Sequence, residues 1–391
     1  MNVTDKRKIG IIAWERFAYG GISRVVSSLI SNLSDDFDVK VLCLKKEKFF
    51  QNLFKIDTEK VEFTFTELTF FEKLRREFAK RVLFKIPPTS YLIKIFPYLK
   101  YSNSYLSRIA TWINDNGFDV VLFSTGIEDS LQLAAIKPML TDCPKLVTWS
   151  HSEFSGYFVD AKTRFFTQEL WKYHFKAFDA IVVLSDTDVV DCKNMLGLNA
   201  IRIYNPNSFI PTKRTKLNSK KFLYVGSLSE TKGSDLLVNA FIEFAKTNDV
   251  WGLDIYGEGA ISSWMLNKVQ EHNLQERVKL HPYTLNVEDV YANHDVFILP
   301  SRYEGFGIVQ IEAAGCGLPL ITSDVAISRE LIGKYRHGVL FKRFDSHDLT
   351  RQMQMMANED LAVYSDRAVE AAKDFTVDTI ISEWKRLFSQ L

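Results

Sequence analysis

Short apolar runs alternate with longer amphipathic stretches along the whole chain. In the first half, five such runs have the length and the predominantly apolar character of strands that are buried on both faces. These runs are residues 9–13, 39–44, 120–123, 146–149 and 180–184. The longer stretches between them repeat at helical spacing, so the pattern predicts parallel β/α units.

A second series of the same kind follows a polar, basic stretch at 211–221 that is typical of a linker. Its strand candidates are residues 222–225, 252–256, 278–280, 296–299 and 319–322. The chain is therefore expected to form two doubly wound α/β domains, an N-terminal one over 1–207 and a C-terminal one over 219–376. An amphipathic pattern at 377–391 predicts a terminal helix that packs back on the first domain.

Length and composition agree with two separate cores in one intracellular protein. The 391 residues exceed what a single hydrophobic core usually serves, and 46% of them are hydrophobic. Lys and Arg number 49 against 48 for Asp and Glu, so no overall field favours a nucleic-acid partner. Four widely spaced cysteines and the absence of about 18 consecutive apolar residues favour a cytoplasmic protein that is soluble or peripheral at a membrane.

The most informative segment is PSRYEGFGIVQIE at 300–312, which leaves a predicted strand and enters a predicted helix. Gly305 and Gly307 let the backbone approach a ligand, and the free N–H groups of a new helix are a natural seat for phosphate. Glu304 stands in that loop, and Glu312 lies inside the helix, where a carboxylate can accept from vicinal hydroxyls. The alternative is a glycine-rich turn followed by a solvated carboxylate.

A second loop, GSLSETKG at 226–233, follows the strand candidate at 222–225. It departs from a P-loop because Lys232 precedes Gly233 instead of Ser or Thr. Lys232 still lies at a strand end, where a cation would neutralise a departing diphosphate. The competing interpretation is a solvated surface lysine.

Five further positions are candidates because they lie near strand ends. Gly20 and Gly21 precede a helical run, and His151 follows the run at 146–149. Gly257 lies in a lone glycine pair that lacks the third glycine of a dinucleotide fingerprint, so we expect it to line a nucleotide pocket together with Tyr283. A plain turn and a structural histidine are the alternatives for the first three.

The D-x-D sequence at 186–188 is a possible metal motif that we interpret differently. Ser185 can cap a helix whose first turn favours acidic residues. We therefore expect no metal site here and no cofactor.

Together these segments resemble the retaining glycosyltransferase family 4, strongly over 222–324 and more weakly over nearly the whole chain. The spacing of Glu304 and Glu312 matches the E-x7-E motif of that family, and the segment GCGLPLI at 315–321 resembles the part that follows it. The resemblance implies the GT-B fold, in which two Rossmann-like domains face each other across a cleft. It also implies transfer of a sugar from a nucleotide-sugar, such as a UDP-sugar, with retention of configuration and without a metal.

The resemblance further implies a role for each candidate residue. Glu312 would hold the ribose hydroxyls, and Lys232 would face the diphosphate together with the N–H groups around Gly21. Glu304 and the amides of Phe306 and Gly307 would hold the donor sugar and phosphates, with His151 beside the transferred sugar. One departure is Ser227, where the family commonly has Arg; Arg302 and Arg24 are both possible substitutes.

Residues 67–100 combine basic and aromatic side chains at helical spacing. The basic residues are Lys73, Arg75, Arg76, Lys80, Arg81, Lys85, Lys94 and Lys100, against the acids Glu67, Glu72 and Glu77. The apolar ones are Phe71, Leu74, Phe78, Phe84, Ile86, Tyr91, Ile95 and Phe96. This region is expected either to bind an anionic membrane surface or to pack into its own domain with a solvated basic side.

Combined with the resemblance, the basic region suggests a saccharide acceptor that is lipid-linked and lies on the cytoplasmic leaflet, as in cell-surface polysaccharide biosynthesis. Three other functions stay open at this point. Sugar-nucleotide epimerases and phosphorylases use similar paired domains, and a non-catalytic nucleotide-sugar-binding subunit is conceivable because of Ser227.

Overall fold

The structure, a computed structural model, describes residues 6–13, 20–44, 60–83, 89–124, 129–158 and 164–391. The chain divides into two compact units. The first consists of Met1–Tyr204 together with Ile380–Leu391, and the second of Asn205–Thr379. Each unit contains one parallel sheet with helices between its strands.

The sheet of the first unit has the strand order β3-β2-β1-β4-β5-β6-β7, and all of its pairs are parallel. Its strands are β1 (Lys8–Ala13), β2 (Asp38–Cys43), β3 (Glu62–Phe65), β4 (Val120–Ser124), β5 (Lys145–Trp149), β6 (Ala180–Val183) and β7 (Ile201–Arg202). The described helices are α1 (Gly21–Leu33), α2 (Phe70–Leu83), α3 (Ser90–Lys100), α4 (Asn103–Asn116), α5 (Leu131–Ile136), α6 (Arg164–His174) and α7 (Asp186–Leu196). The strand order reverses between β1 and β4, which makes the carboxyl ends of these two strands a topological switch point.

The sheet of the second unit has the order β10-β9-β8-β11-β12-β13 and is also parallel throughout. Its strands are β8 (Lys221–Val225), β9 (Gly252–Tyr256), β10 (Val278–His281), β11 (Val296–Leu299), β12 (Leu320–Ser323) and β13 (Gly338–Phe341). Its helices are α8 (Ser234–Ala245), α9 (Ser262–Glu271), α10 (Val287–Ala292), α11 (Ile308–Gly315), α12 (Ala326–Tyr335), α13 (Ser346–Asn358) and α14 (Leu361–Ala372). Here the switch point lies between β8 and β11.

Short 3₁₀ turns complete the two units at Lys137–Met139, Ser155–Phe158, Phe175–Ala177 and Lys373–Phe375. The last helix, α15 (Val377–Gln390), buries one apolar stripe, as its helical spacing predicts. Within this stripe, the ring centroid of Trp384 lies 4.8 Å from that of Trp149. The neighbouring residue Lys385, outside the stripe, forms an ion pair with Asp36 of the first unit. The final turns of the chain thus pack on the first unit.

The doubly wound α/β class and all ten predicted strands are confirmed to within one residue at either end. Three strands had not been predicted, namely β3, β7 and β13. They are short and lie at or next to a sheet edge, and most of their residues are only partly buried or exposed. A buried-strand pattern is absent where only one neighbour and one face are covered.

The segment expected to be a linker is mostly irregular, but it is anchored to the second unit. Thr215 donates its N–H to Cys316 O at 2.9 Å, and Thr212 hydrogen-bonds Glu288 through both its N–H and its hydroxyl. Its expected last residue, Lys221, is instead the first residue of β8. Among the helices that the structure describes, none has the length and hydropathy needed to span a bilayer.

Candidate functional site

Two loops meet at the switch point of the second unit. The loop 226–233 follows β8 and the loop 300–307 follows β11, and these parallel neighbours end at the same edge of the sheet. Lys232 Nζ lies 2.8 Å from Glu304 Oε2 in an ion pair, and Ser301 Oγ donates to the same carboxylate oxygen at 3.0 Å. The Glu304 side chain is 10% exposed and that of Lys232 is 35% exposed. The carboxylate is therefore nearly buried, and the lysine that pairs with it is partly exposed at the surface.

A glycine begins the helix that follows each loop. Gly233 (φ 68°) precedes α8 and Gly307 (φ 68°) precedes α11, and neither helix has a side-chain cap. Both glycines have left-handed backbone, and a Cβ on Gly233 would lie 1.9 Å from Pro300 O. Gly233 directly follows Lys232 and Gly307 lies three residues after Glu304, so both helix starts adjoin this pair along the chain, an arrangement that suits an anion.

The loops after β8 and β9 run against each other with no room for side chains between them. Gly226 N donates to Tyr256 O at 3.0 Å, and a Cβ on Gly257 would lie 1.9 Å from Gly226 O. Ser227 is exposed, and its carbonyl accepts a 2.8 Å hydrogen bond from Tyr224, whose pKa is raised by burial and then by the charge of Glu304. Tyr283, which follows β10, is 40% exposed at the same edge of the sheet.

Glu312 is buried inside α11. Its carboxylate accepts hydrogen bonds from Ser208 Oγ and, at 2.8 Å, from Tyr291 OH. Phe306 is also buried, with its ring 6.0 Å from that of Phe375, whereas Gly305 is partly exposed. The first and second acids of the motif thus have different surroundings, one beside a lysine at the surface and one among hydroxyls in the interior.

Arg302 is held by an acidic partner within its own unit. Its guanidinium forms two 2.6 Å hydrogen bonds with the carboxylate of Asp235 on α8, and this pairing raises its pKa. This bidentate pair uses two of the five N–H groups of the Arg302 guanidinium. Arg24, the other residue considered in place of an arginine at Ser227, lies in α1 of the first unit.

His151 lies in the first unit, directly after β5. Its Nε2 is 2.8 Å from Ser124 Oγ at the end of the adjacent strand β4, and its ring centroid is 4.3 Å from that of Trp149. Burial lowers the pKa of His151 to about 3, so the ring is neutral at physiological pH. Gly20 and Gly21 are exposed at the start of α1, beyond the end of β1 at the same edge of this sheet.

The D-x-D sequence forms the beginning of α7, as expected from its capping serine. Ser185 Oγ accepts the N–H of Asp188 at 3.0 Å, and the Asp188 carboxylate accepts from Ser185 Oγ and from Phe154 N. Burial raises the pKa of Asp188 to about 6. Its hydrogen bonds are therefore structural ones that close the start of the helix.

Helix α2 directs its apolar side chains outward. Phe71 is 79% exposed, Phe78 66% and Leu74 53%; we call these three residues the outer face of α2. The side that packs inward carries Ala79 and Glu72, and Glu72 accepts from Ser102, from Thr69 N and from Arg108. The alternative of a helix packed into its own domain with a solvated basic side applies to α2 only in part, because the three apolar side chains of its outer face take no part in the packing. It holds for α3, where Ile93 and Phe96 are buried; Phe84, Lys85 and Ile86 lie outside the described residues.

The structure thus brings Lys232, Glu304 and Gly307 together in the second unit and places His151, Gly20 and Gly21 in the first. Sequence reasoning had not identified the residues that hold these side chains. They are Ser301 for Glu304, Ser208 and Tyr291 for Glu312, and Ser124 for His151. Only Ser301 carried a local signal, since it lies three residues before Glu304; the others come from distant parts of the chain.

Comparison with known proteins finds one family model that matches part of the chain. Residues 208–375 match the family model described as Glycosyl transferases group 1. The match covers most of the second unit, including both loops of the site and both acids of the motif.

Individual relatives carry glycosyltransferase names. An uncharacterized glycosyltransferase of Haemophilus influenzae is 29% identical over 212 residues, which is 53% of this chain and 60% of that protein. The poly(ribitol-phosphate) alpha-N-acetylglucosaminyltransferase of Staphylococcus aureus is 22% identical over 218 residues, 54% of this chain and 44% of that protein. The chain therefore spans about half the length of these curated relatives.

Solved structures resemble the whole chain. TarM has a TM-score of 0.74 at 14% identity and covers 99% of this chain and 100% of its own. Anabaena HepE in complex with UDP has a TM-score of 0.73 at 16% identity, with 98% and 100% covered. Likeness at this level shows the fold, so the expected GT-B class is confirmed.

Proposed function

We propose that this protein is a retaining glycosyltransferase of family 4, which moves a hexose from a nucleotide-sugar, preferably a UDP-sugar, to a saccharide acceptor. The observation that carries the proposal is the Lys232–Glu304 pair between the starts of α8 and α11. A lysine and two helix N-termini present positive charge to a diphosphate, while the adjacent carboxylate can accept from sugar hydroxyls. The group 1 match and the UDP complex of HepE support this assignment.

In this proposal the site acts by electrostatic stabilisation. Without a donor, Glu304 balances the charge of Lys232. When the diphosphate binds, Lys232 pairs with it and Glu304 turns to hydroxyls of the sugar. Charge that develops on the leaving diphosphate is met by the ammonium and the helix N–H groups, so no metal is required for that step.

The remaining site residues have supporting roles in the proposal. Gly257 and Tyr283 lie after strand ends and are assigned to the base, and Glu312 is assigned to the ribose hydroxyls, which would replace one of its present hydroxyl partners. His151 is assigned to the transferred sugar. As a neutral ring it can accept a hydrogen bond or face a developing cation without repelling it.

Donor binding is tested by thermal unfolding with UDP-, GDP-, ADP- and dTDP-sugars. A ligand at about one hundred times its Kd adds roughly 2.7 kcal/mol of stability, so the matching nucleotide raises the melting temperature. Lys232→Ala is expected to abolish the shift. Lys246→Ala is the control, because Lys246 forms an exposed pair with Glu243 on the surface of the same unit. No shift with any of the four classes would contradict the proposal.

The same material distinguishes the alternative functions. Product analysis with a UDP-sugar alone identifies an epimerase if the sugar is isomerised without an acceptor. Dependence of turnover on free phosphate identifies a phosphorylase. Binding without turnover in the presence of a membrane extract containing lipid-linked saccharides identifies a non-catalytic subunit, and transfer of a sugar to that lipid fraction supports the present proposal.

We further propose that the acceptor is lipid-linked and that the outer face of α2 contacts the cytoplasmic leaflet. Three exposed apolar side chains at helical spacing, with Lys73, Arg75 and Arg81 on the same helix, suit a membrane surface that contains anionic lipids. Two relatives carry names that refer to poly(ribitol-phosphate) and to lipopolysaccharide core biosynthesis, which supports a cell-surface glycan as the product.

Vesicle sedimentation tests the membrane contact. The protein is expected to bind vesicles that contain phosphatidylglycerol, less so at high salt, and to stay in solution with pure phosphatidylcholine. Replacing Phe71, Leu74 and Phe78 by Ser removes the binding without loss of stability, because these side chains are exposed. Leu266→Ser with Leu285→Ser alters exposed apolar residues of the second unit and serves as control. Equal binding by both variants would rule out this face.

A further inference from the structure

Two exposed aromatic rings lie against one arginine beside the loop that carries Glu304. Tyr303 is 36% exposed and Phe344 is 51% exposed, with their ring centroids 6.1 Å apart. The guanidinium carbon of Arg343 lies 4.5 Å from the centroid of Tyr303 and 5.3 Å from that of Phe344. Arg343 Nε also donates to Arg302 O, which ties the cluster to the loop after β11. We call these three residues the aromatic cluster.

The backbone keeps Phe344 in a conformation that its side chain disfavours. Its φ is 69°, in the left-handed region that glycine adopts freely and that a bulky residue rarely occupies. An exposed phenylalanine in this conformation gains little from burial in return. Strain held at the surface is typical of positions that are kept for contact with a ligand.

The topology separates the aromatic cluster from the nucleotide part of the proposed site. The loops that contain Lys232, Gly257 and Tyr283 follow β8, β9 and β10, which lie on one side of β11. Phe344 follows β13, which lies on the other side, and Tyr303 directly precedes Glu304. The cluster therefore adjoins the residue assigned to the sugar from the side opposite the base.

We infer that the aromatic cluster is a subsite for one pyranose ring of the acceptor saccharide; this rests on the proposed function. The C–H bonds on the apolar face of a pyranose carry partial positive charge and pack on the negative face of an aromatic ring. The guanidinium of Arg343 supplies hydrogen-bond donors for the ring hydroxyls. Two rings and one guanidinium match the footprint of a single sugar and are far smaller than the roughly 800 Å² per partner of a stable protein interface.

The inference assigns part of acceptor recognition to the second unit. It also makes a specific demand on substrates. The acceptor sugar must present an unsubstituted apolar face, so saccharides with axial hydroxyls on that face are expected to bind less well than their equatorial epimers.

Saturation-transfer NMR with methyl glycosides of glucose, galactose, mannose and N-acetylglucosamine tests the subsite without turnover. In the wild type, the ring protons of one apolar face should receive the saturation. Tyr303→Ala and Phe344→Gly are expected to reduce affinity for the bound glycoside about fivefold to tenfold, in the range of one aromatic contact. Phe344→Gly should also unfold at the same or a higher temperature, because glycine relieves the left-handed strain.

Arg336→Gly is the matched control. Arg336 also has a positive φ, 55°, and an exposed side chain. It follows α12 and precedes β13, so it lies at the amino end of that strand, whereas Phe344 lies beyond its carboxyl end. Arg336→Gly should relieve left-handed strain as Phe344→Gly does, but it should leave glycoside binding unchanged. Glycoside signals that are absent from the wild type, or that are equal in all variants, would overturn the subsite.

Nucleotide binding separates this inference from the proposed function. Thermal shifts with UDP are measured on the same variants and are expected to match the wild type. Loss of the glycoside signal with the UDP shift retained supports the subsite. A UDP shift in all proteins without any glycoside contact overturns the subsite alone, and glycoside contact without any nucleotide shift overturns the proposed donor and leaves a saccharide-binding surface.

Discussion

The Lys232 and Glu304 side chains are 72 positions apart in the chain and meet because β8 and β11 end side by side. Removal of either residue is expected to lower kcat by about a hundredfold or more, since each contributes charge or hydrogen bonds where the transition state needs them. Both variants should still fold, because Lys232 is partly exposed and Ser301 continues to donate to Glu304 when the lysine is removed.

The measurement is sugar transfer by Lys232→Ala and Glu304→Ala, with circular dichroism and melting temperature as folding controls. Lys246→Ala should retain full turnover. Its exposed pair with Glu243 lies at the carboxyl end of α8, away from the loops of the site. Full activity in Lys232→Ala or Glu304→Ala would remove that residue from the mechanism.

Gly233 illustrates how a single hydrogen atom in place of a side chain shapes the site. Gly233→Ala should destabilise the second unit by about 3 kcal/mol, because its φ is 68° and its Cβ would overlap Pro300 O. Gly197→Ala is the comparison, since Gly197 has φ 70° but nothing within 4 Å of the added carbon. It should lose only about 1 kcal/mol, the backbone part alone. Urea unfolding measures both, and equal losses would mean that the loops yield to the clash.

At the scale of elements, α2 is held by polar contacts instead of by its apolar side chains. Burial by itself would raise the pKa of Glu72, but hydrogen bonds from Ser102, from Thr69 N and from Arg108 outweigh it and lower that pKa to about 2. A carboxylate bound in this way anchors the helix with its outer face exposed.

Glu72→Gln is therefore expected to destabilise the first unit by about 2 kcal/mol at pH 7, through loss of charge-assisted hydrogen bonds. Because the folded pKa lies below the ordinary 4.5, the stabilisation is complete above pH 4.5 and is lost as the pH falls from there toward 2. The difference in free energy of unfolding between the wild type and Glu72→Gln should become smaller over that pH range in urea titrations. A gap that stays constant down to pH 2.5 would mean that the charge of Glu72 has no part in it.

At the scale of the whole molecule, each unit contains a histidine that folding keeps uncharged. Burial lowers the pKa of His151 in the first unit to about 3 and that of His337 in the second to about 4. Unfolding restores both pKa values to about 6.5. The contribution of each neutral histidine to the free energy of unfolding is therefore complete above that pH and is lost as the pH falls below it, by about 1.4 kcal/mol per pH unit and histidine.

Stability measured between pH 7 and pH 5 tests this dependence. His151→Asn and His337→Asn should each flatten the slope of the free energy of unfolding against pH. His272 is exposed and directly follows α9, so His272→Asn should leave that slope unchanged. Unchanged slopes in both buried variants would show that other groups control the acid response.

Local signals accounted for much of the architecture. Runs such as 146–149 and 296–299 are apolar on both faces, because a central parallel strand is covered by helices on both sides, and such runs stand out in a sequence. Edge strands such as β3, with only partly buried or exposed residues, lack that signal. The α2 pattern was ambiguous for a related reason: amphipathic spacing defines a face of the helix but does not tell which way it points.

The loops of the candidate site were also identifiable, since glycine, lysine and glutamate after a strand have a local meaning. Their partners were not. Tyr291 reaches Glu312 across 21 positions and Ser208 across 104, and Asp235 reaches Arg302 across 67. Hydrogen bonds of this kind depend on which helix packs beside which strand.

The sequence by itself determined the alternation of strands and helices, the existence of two doubly wound units and the loops in which chemistry is to be sought, because these follow from short-range periodicity and from backbone demands of single residues. Only the tertiary structure decided which side chains pair, that α2 turns its aromatic residues outward and that Tyr303, Arg343 and Phe344 form one surface. The physical reason is that burial and pairing depend on neighbours that are distant in the chain, and these neighbours are set only when the sheets assemble.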